Sequence, residues 1–231
     1  MREPAEIKVA IVDYDMGNLF SVKHACAHVG LEAVITSSRD EVLAADAVIL
    51  PGIGAFGDAM EALRRLDLVS TLQHVAASSK PLFGVCLGMQ LLMSESFEFG
   101  RHAGLGIIPG VVTRLEERAG LDRVVKVPQV CWNRVNRRAT NDSDPWAGTL
   151  FEGLPDGVFM YFVHSFYCKP ADESRVIATT RYGNTEFCSA LGYRNIFACQ
   201  CHPERSGPDG LRVYRNLASI LQQLPMREPC F

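Results

Sequence analysis

Residues Lys80–Met93, with the sequence KPLFGVCLGMQLLM, join two segments of different character. The short apolar run Pro81–Val85 is bounded by proline and glycine, which predicts a buried β-strand. The next segment, Leu87–Met93, contains good helix formers and predicts a helix. A buried strand that passes directly into a helix is the repeating unit of an α/β sheet, and the rest of the chain is organised around this stretch.

Cys86 lies between the predicted strand and helix, in the pattern G-x-C-x-G with Gly84 and Gly88. This pattern is the cysteine counterpart of the G-x-S-x-G turn that presents a nucleophilic serine. Such a turn strains the backbone, and a Cβ atom at either glycine would clash. At the start of a helix, unpaired N–H groups favour a thiolate and can also hold an oxyanion. The pattern indicates a catalytic cysteine, and a buried cysteine between packing glycines is the alternative.

The segments before Cys86 predict alternating strands and helices, which is typical of a parallel sheet. The predicted strands are Ile7–Asp13, Ala33–Ile35 and Ala47–Leu50. The predicted helices are Leu19–His28 capped by Asn18, a brief helix to Ala44 capped by Ser38 or Asp40, Gly57–Arg65 and Leu68–Ala77. Ligands bind at the C-terminal ends of parallel strands, so the loops Asp13–Asn18 and Pro51–Gly57 should share one rim with Cys86.

After Gly100 the pattern changes to short strands and turns. Val111–Leu115 and Leu121–Val127 are predicted to pair as antiparallel strands, and Asn133–Gly148 to be a polar surface excursion. Further predicted elements are the strands Val158–Val163, Val176–Thr180, Phe187–Leu191 and Ile196–Cys199, the helix Leu211–Leu224 capped by Asp209, and a frayed tail at 225–231. We therefore expect a single α/β domain over residues 1–231, with an open, mostly parallel sheet flanked by helices and an antiparallel extension in the second half.

The composition narrows the classes of function. Of the 231 residues, 48% are hydrophobic and 21% charged, which is typical of a globular protein. A net charge of −3 gives no electrostatic reason to expect nucleic acid or an acidic membrane as a partner. No apolar run approaches the ~20 residues of a membrane span, and the first residues lack the core of a signal peptide. The eight cysteines show no framework spacing, so we expect reduced thiols in a cytoplasmic protein.

A nucleophilic cysteine needs a base, and the best candidate among six histidines is His202. It follows the strand Ile196–Cys199, which should end on the same rim as Cys86. Pro203 favours an extended backbone before it, and residues two apart in an extended chain face the same way. Glu204 would then orient the imidazole of His202. The C-x-C spacing just before His202 is not typical of zinc, so we expect no metal and no cofactor.

These residues resemble the class I glutamine amidotransferases, and most closely the glutaminase subunits of imidazole glycerol phosphate synthase. The resemblance runs nearly end to end. The stretches that carry it are Gly84–Gln90, Cys201–Ser206, Asp13–Leu19, Leu50–Phe56, Gly104–Gly110 and Tyr161–Phe166.

The resemblance implies a glutaminase reaction. Cys86 would attack the side-chain amide of L-glutamine, His202 would carry protons and Glu204 would orient His202. The oxyanion would be held by the N–H of Leu87 and one from the Pro51–Gly54 loop, at Gly52 or Ile53. By the same resemblance, glutamine would be held by Gln90, Glu98 and the backbone of Ser165 and Phe166.

The resemblance also implies a partner, a (β/α)8-barrel cyclase that uses the ammonia to close an imidazole ring, with Arg205 facing it in a heterodimer. The chain departs from the usual pattern at Asp15, Gln129, Cys131 and Cys201. Because some of these positions lie near regions that face the partner, one alternative is a glutaminase that supplies a different synthase, such as an enzyme amidating a surface sugar. A separate alternative is a cysteine hydrolase that uses the same triad on other amides.

Overall fold

The computed structural model describes residues 7–117, 124–138 and 144–223. Its strands are β1 Lys8–Val12, β2 Glu32–Thr36, β3 Ala47–Leu50, β4 Leu82–Val85, β5 Met93–Ser96, β6 His102–Ala103, β7 Ile108–Arg114, β8 Gln129–Arg137, β9 Val158–His164, β10 Phe166–Pro170, β11 Val176–Tyr182, β12 Thr185–Tyr193 and β13 Ile196–Cys199. Its α-helices are α1 Leu19–His28, α2 Arg39–Ala44, α3 Phe56–Arg65, α4 Leu68–Ala77, α5 Leu87–Leu91 and α6 Gly207–Gln223.

Nine strands form the main sheet in the order β2-β1-β3-β4-β13-β12-β11-β8-β9. The first five are parallel to one another, and every pair from β13 to β9 is antiparallel. The predicted fold class, an open α/β sheet with a parallel first part and an antiparallel extension, is confirmed. Because β1, β3, β4 and β13 are parallel neighbours, the loops that follow them all leave from one edge of the sheet.

Alternate side chains of the parallel strands enter two cores, one on each face of the sheet. Val9 and Ile11 of β1 join the core beneath α1 and α6, whereas Ala10 and Val12 join the core beneath α3 and α4. The central strands are buried on both faces, which explains why Ala47–Leu50 is an unbroken apolar run. This two-sided burial is what fixes the strands whose ends carry the rim.

A second sheet of four strands has the order β10-β7-β5-β6, and here several predictions were wrong. The helix after Cys86 ends at Leu91, and Met93 already begins β5. The strand predicted at Val111–Leu115 begins earlier, at Ile108, and its antiparallel partner is β10. The partner predicted at Leu121–Val127 falls partly outside the described residues, and its described part forms no continuous strand.

The described parts of the segment Asn133–Gly148, residues 133–138 and 144–148, are not simply the predicted surface excursion. Its first residues belong to β8 in the main sheet, and Trp146 is fully buried with its indole N–H donating to the Ile177 carbonyl at 3.0 Å. The predicted tail 225–231 lies outside the described residues. In the part of the chain that is described, no helix is long and apolar enough to cross a membrane.

The helix starts show which capping predictions were right. Ser38 caps α2 by accepting a hydrogen bond from the Glu41 N–H at 3.4 Å. Asn18 precedes α1 but its side chain caps no backbone N–H, and accepts instead from the Ser21 hydroxyl at 2.8 Å. Helix α6 begins at Gly207, four residues before the predicted start, so Asp209 lies in its first turn.

Candidate active site

Cys86 sits at a sharp turn between β4 and α5, with backbone angles φ +53° and ψ −108°. Few residues other than glycine adopt such angles, and strain of this kind is concentrated at functional sites. The predicted need for glycine at positions 84 and 88 is explained by close approach of the backbone. A Cβ atom on Gly88 would lie 1.7 Å from the Leu50 carbonyl oxygen, and one on Gly84 would lie 3.0 Å from the Met89 nitrogen. The turn therefore tolerates no side chain at Gly88.

The oxyanion donor predicted at Leu87 is occupied. The Leu87 N–H points at the Gly52 carbonyl oxygen across 3.4 Å. Gly52 itself is held close to Tyr14, whose hydroxyl donates to the Pro51 carbonyl at 2.6 Å. In this arrangement the Gly52 carbonyl occupies the N–H that was predicted to serve as an oxyanion donor.

His202 and Glu204 are in contact, with 2.7 Å between Nδ1 and Oε1. Both side chains are almost completely buried, at 4% and 1% exposure. The contact was predicted from an extended backbone, but Pro203–Arg205 is a 3₁₀ turn and not an extended segment. The base is further fixed through its main chain, since the His202 N–H donates to the Tyr161 carbonyl at 2.9 Å.

The electrostatic surroundings favour a charged His202. Burial by itself would lower the pKa of this imidazole, but electrostatic and hydrogen-bond interactions with Cys86 and Glu204 outweigh it and raise the pKa to about 11. The Nε2 atom is buried, and the described residues hold no hydrogen-bond partner for it. The site therefore favours a positively charged imidazole beside Cys86 and Glu204.

A cavity of about 340 Å³ opens next to Cys86. Every binding residue predicted from the sequence contributes to its wall, as do Leu87 and Ile53 of the expected oxyanion hole. The predicted residues that line this cavity are Ile53, Cys86, Leu87, Gln90, Glu98, Ser165, Phe166 and Arg205. Gly52, His202 and Glu204 are absent from this wall. His202 instead faces a neighbouring cavity, which shares Ile53, Val163 and Arg205 with the first.

Glu98 supplies the carboxylate of the cavity. One of its oxygens accepts from the Phe56 N–H at 2.7 Å. Burial raises the pKa of Glu98, and this effect exceeds the lowering by the Phe56 N–H and by nearby His102. The carboxylate is half-buried and lines the cavity. It is therefore well placed to face a ligand cation.

Phe166 forms another part of the cavity wall. Its carbonyl oxygen accepts from Gln90 Nε2 at 2.8 Å and lies 2.9 Å from Nδ1 of His164. His164 is buried, and burial lowers its pKa to about 4. The ring is therefore neutral, and its Nδ1–H is the donor that satisfies the carbonyl.

Gln200 is a residue of the site that the sequence interpretation missed. It is fully buried, its Nε2 donates to Cys86 Sγ at 3.5 Å, and its Oε1 accepts from Gln90 Nε2 at 3.1 Å. A signal was present, because Gln200 is a polar residue in an apolar run and stands two positions before His202. That spacing places both on one side of an extended chain.

The departures from the family pattern have different structural settings. Asp15 has φ +67°, a conformation that favours glycine, and its side chain pairs with Arg65 at 2.7 Å. Gln129 is fully buried opposite His164, Cys201 is fully buried, and Cys131 is half-buried on β8. Within the described ranges, no group of three or more His, Cys, Asp or Glu side chains is arranged to hold a metal ion.

Comparison with known proteins places this geometry in a family. The profile of the family "Glutamine amidotransferase class-I" matches residues 10–219. The imidazole glycerol phosphate synthase subunit HisH of Chlorobium luteolum is 42% identical over 91% of this chain and 98% of its own length. The HisH subunit of Moorella thermoacetica is 44% identical over 93% of this chain and 95% of its own length.

Solved structures agree on the fold. The structure of PurLQS from Thermotoga maritima matches with a TM-score of 0.69 at 18% identity, covering 94% of this chain and 99% of that one. The crystal structure of a glutamine amidotransferase matches with a TM-score of 0.67 at 19% identity, covering 92% of this chain and 98% of that one. With a family profile that spans most of the sequence and relatives above 40% identity, the chain belongs to the class I glutamine amidotransferases.

Proposed function

We propose that this chain is the glutaminase subunit of an imidazole glycerol phosphate synthase, which hydrolyses L-glutamine to L-glutamate and ammonia for histidine biosynthesis. The observation that carries the proposal is the strained Cys86 turn beside the buried His202–Glu204 pair, at the edge of a cavity of about 340 Å³. The relatives named HisH supply the identity of the synthase.

The chemistry follows from the charges of the three side chains. The Cys86 thiolate attacks the side-chain amide carbon of glutamine and forms a tetrahedral oxyanion. His202 then gives its proton to the leaving nitrogen, so that ammonia departs and a glutamyl thioester remains. Water attacks the thioester while His202 takes up a proton, and glutamate is released with the thiolate restored. Glu204 holds the ring orientation and stabilises its positive charge throughout.

The cavity fits an amino acid at one end and an amide at the other. Glu98 offers a carboxylate to the substrate ammonium, while Cys86 lies at the reacting end. Gln90, Ser165 and Phe166 also line the cavity. A charged acceptor at the ammonium position favours glutamine over amides that lack an α-amino group, which argues against a general amide hydrolase.

The occupied Leu87 amide implies that catalysis requires a local change. For the oxyanion to receive this N–H, the Gly52 carbonyl must turn away, and rotation of the Gly52–Ile53 peptide would bring the Ile53 N–H towards the same point. Each oxyanion donor is worth about 10²–10³-fold in kcat. We infer that the resting chain is slow and that binding of the partner produces the rotation.

An exposed apolar face next to the site suits the partner, for which we propose a (β/α)8-barrel cyclase. Val130, Trp132 and Phe159 of β8 and β9 are each about half exposed. Trp132 contacts the Tyr161 ring edge-on at 6.2 Å, and the Arg205 guanidinium lies 4.9 Å from the same ring. Tyr161 in turn packs against His202. The face is thus continuous with the catalytic base, as delivery of ammonia to a docked subunit requires.

Ammonia and glutamate release should be measured with the chain alone, with the barrel subunit, and with the barrel subunit plus its phosphoribosyl ligand. We expect slow turnover alone and an increase of about 10²–10³-fold in the liganded complex. Turnover that ignores this partner would reject the histidine-pathway assignment and favour a different synthase. Glutamine turnover that persists in Cys86→Ala would reject the glutaminase mechanism itself.

A further inference from the structure

We propose that Gln200 is an additional catalytic residue, which holds the Cys86 sulfur as a thiolate by donating a hydrogen bond to it and which ties that sulfur to the substrate wall through Gln90. The proposal deepens the glutaminase function above and rests on it. It starts from the 3.5 Å contact between Gln200 Nε2 and Cys86 Sγ.

The orientation of the Gln200 amide is fixed by its neighbours. Its oxygen accepts from Gln90 Nε2 at 3.1 Å, so its nitrogen is the group that faces the sulfur. Gln90 Nε2 also donates to the Phe166 carbonyl at 2.8 Å, which uses both of its hydrogens and defines its own orientation. The backbone of Gln200 is anchored as well, because its N–H donates to the Ser189 carbonyl at 2.9 Å. A chain of donors therefore runs in one direction, from the cavity wall to the sulfur.

The sequence predicts that the start of helix α5 stabilises a Cys86 thiolate, but in the structure the Gln200 amide is the donor that contacts the sulfur. Helix α5 contains five residues, and its first amide, that of Leu87, is turned towards Gly52. A helix this short has a small dipole, since its field is the sum of few peptide units. Gln200 is fully buried, and in a water-poor site a hydrogen bond to a charged atom is stronger than one to a neutral atom.

The link to Gln90 gives the contact a second consequence. Gln90 lines the cavity, whereas Gln200 lies behind it, so Gln90 connects the bound substrate with the nucleophile. A substrate that moves Gln90 also moves the donor that orients Gln200. The hydrogen bond from Gln200 to the Cys86 sulfur therefore depends on Gln90 keeping its bond to the Phe166 carbonyl.

The test is the pH dependence of Cys86 alkylation by iodoacetamide in the full chain, followed by mass spectrometry of the peptide that contains Cys86. This readout needs no substrate and no turnover. In Gln200→Met, which keeps the volume but loses the donor, we expect the midpoint to move upward by about one pH unit. The kcat for glutamine at neutral pH should fall about tenfold in the partner complex and recover at higher pH, with KM changed less than twofold.

Ser189→Ala is the matched control. Ser189 is equally buried on the neighbouring strand β12, and its hydroxyl has no partner within the described residues, so its alkylation midpoint should equal that of the wild type. If Gln200→Met does not fold by circular dichroism, Gln90→Met removes the donor that orients Gln200 and should shift the midpoint in the same direction. An unchanged midpoint in the folded variant, or an equal shift in Ser189→Ala, would overturn the proposal. Wild-type chain that releases no ammonia with any partner would instead overturn the glutaminase function and leave the alkylation result standing.

Discussion

Replacing Gly88 with alanine tests whether the nucleophile turn depends on close backbone packing. The new Cβ atom would lie 1.7 Å from the Leu50 carbonyl oxygen and 2.7 Å from the Leu50 carbonyl carbon. Both neighbours are backbone atoms at the end of β3, so no side chain can rotate out of the way. To reach a separation of 3.0 Å, the turn and the β3 end must move apart by about 1.3 Å. Leu50 leads directly into Pro51 and Gly52, so this movement displaces the oxyanion loop relative to Cys86.

A displacement of about 1 Å at a reacting centre costs about 10²-fold in rate, and this is the fall in kcat/KM that we expect for Gly88→Ala. Overpacking of a buried site costs about 1–3 kcal/mol in stability, whereas the better helix propensity of alanine returns at most about 1 kcal/mol. The expected net effect is therefore a lower melting temperature together with lower activity.

The assays are ammonia release in the partner complex and thermal unfolding of the chain alone. Gly192→Ala is the control, because its Cβ would lie 3.6 Å from the nearest atom, a methyl group of Ile177. That variant should match the wild type in both assays. A Gly88→Ala enzyme within threefold of wild-type activity, with an unchanged melting temperature, would refute the packing argument.

Three further variants test other parts of the site. His202→Asn should abolish turnover. Because the pKa of His202 in the folded protein is raised to about 11, its contribution to the free energy of unfolding is complete below the unfolded pKa of about 6.5 and is lost as the pH rises towards 11. The stability deficit of this variant should accordingly shrink between pH 6.5 and pH 10 in denaturant titrations, and a constant deficit would contradict the assignment. Glu98→Gln keeps an acceptor for the Phe56 N–H but loses the charge that faces the substrate ammonium, so KM for glutamine should rise about 10–100-fold with little change in kcat; an equal fall in kcat would place Glu98 elsewhere in the mechanism. Trp132→Ala removes a half-exposed aromatic side chain from the proposed docking face, and it should weaken binding of the barrel subunit by about 2 kcal/mol in calorimetry while leaving the basal activity of the isolated chain unchanged.

The local sequence predicted the elements that bury apolar runs. Ala47–Leu50 and Ile196–Cys199 have the bounds expected from their composition, as does the helix Leu19–His28. The Cys86 turn was predictable for a related reason, since a cysteine flanked at both second neighbours by glycine is typical of a nucleophile turn between a strand and a helix. In each case the signal lies within a few residues of the structure that it describes.

The second sheet could not be predicted in this way. Met93 and Glu95 look like a continuing helix, but they pair with β7, whose residues lie 15 or more positions later. The same holds for Gln200, whose contacts with Gln90 and Cys86 join residues more than 100 positions apart. Tertiary pairing overrides local propensity at such places, because the competing partners are absent from the local sequence.

The contact between the Leu87 amide and the Gly52 carbonyl affects how much glutamine would be hydrolysed when no ammonia acceptor is bound. At 3.4 Å it is a weak hydrogen bond, worth about 0.5–1 kcal/mol, so breaking it accounts for only a few-fold of the expected activation, and the rest would come from placing the oxyanion donors. Coupling between sites in proteins is typically about 1–3 kcal/mol, which is enough to reverse a preference of this size. Glutamine would consequently be spared while no acceptor waits, and spent when a docked and loaded partner supplies that coupling. The weak bond would then be one part of the barrier that the docked partner lowers.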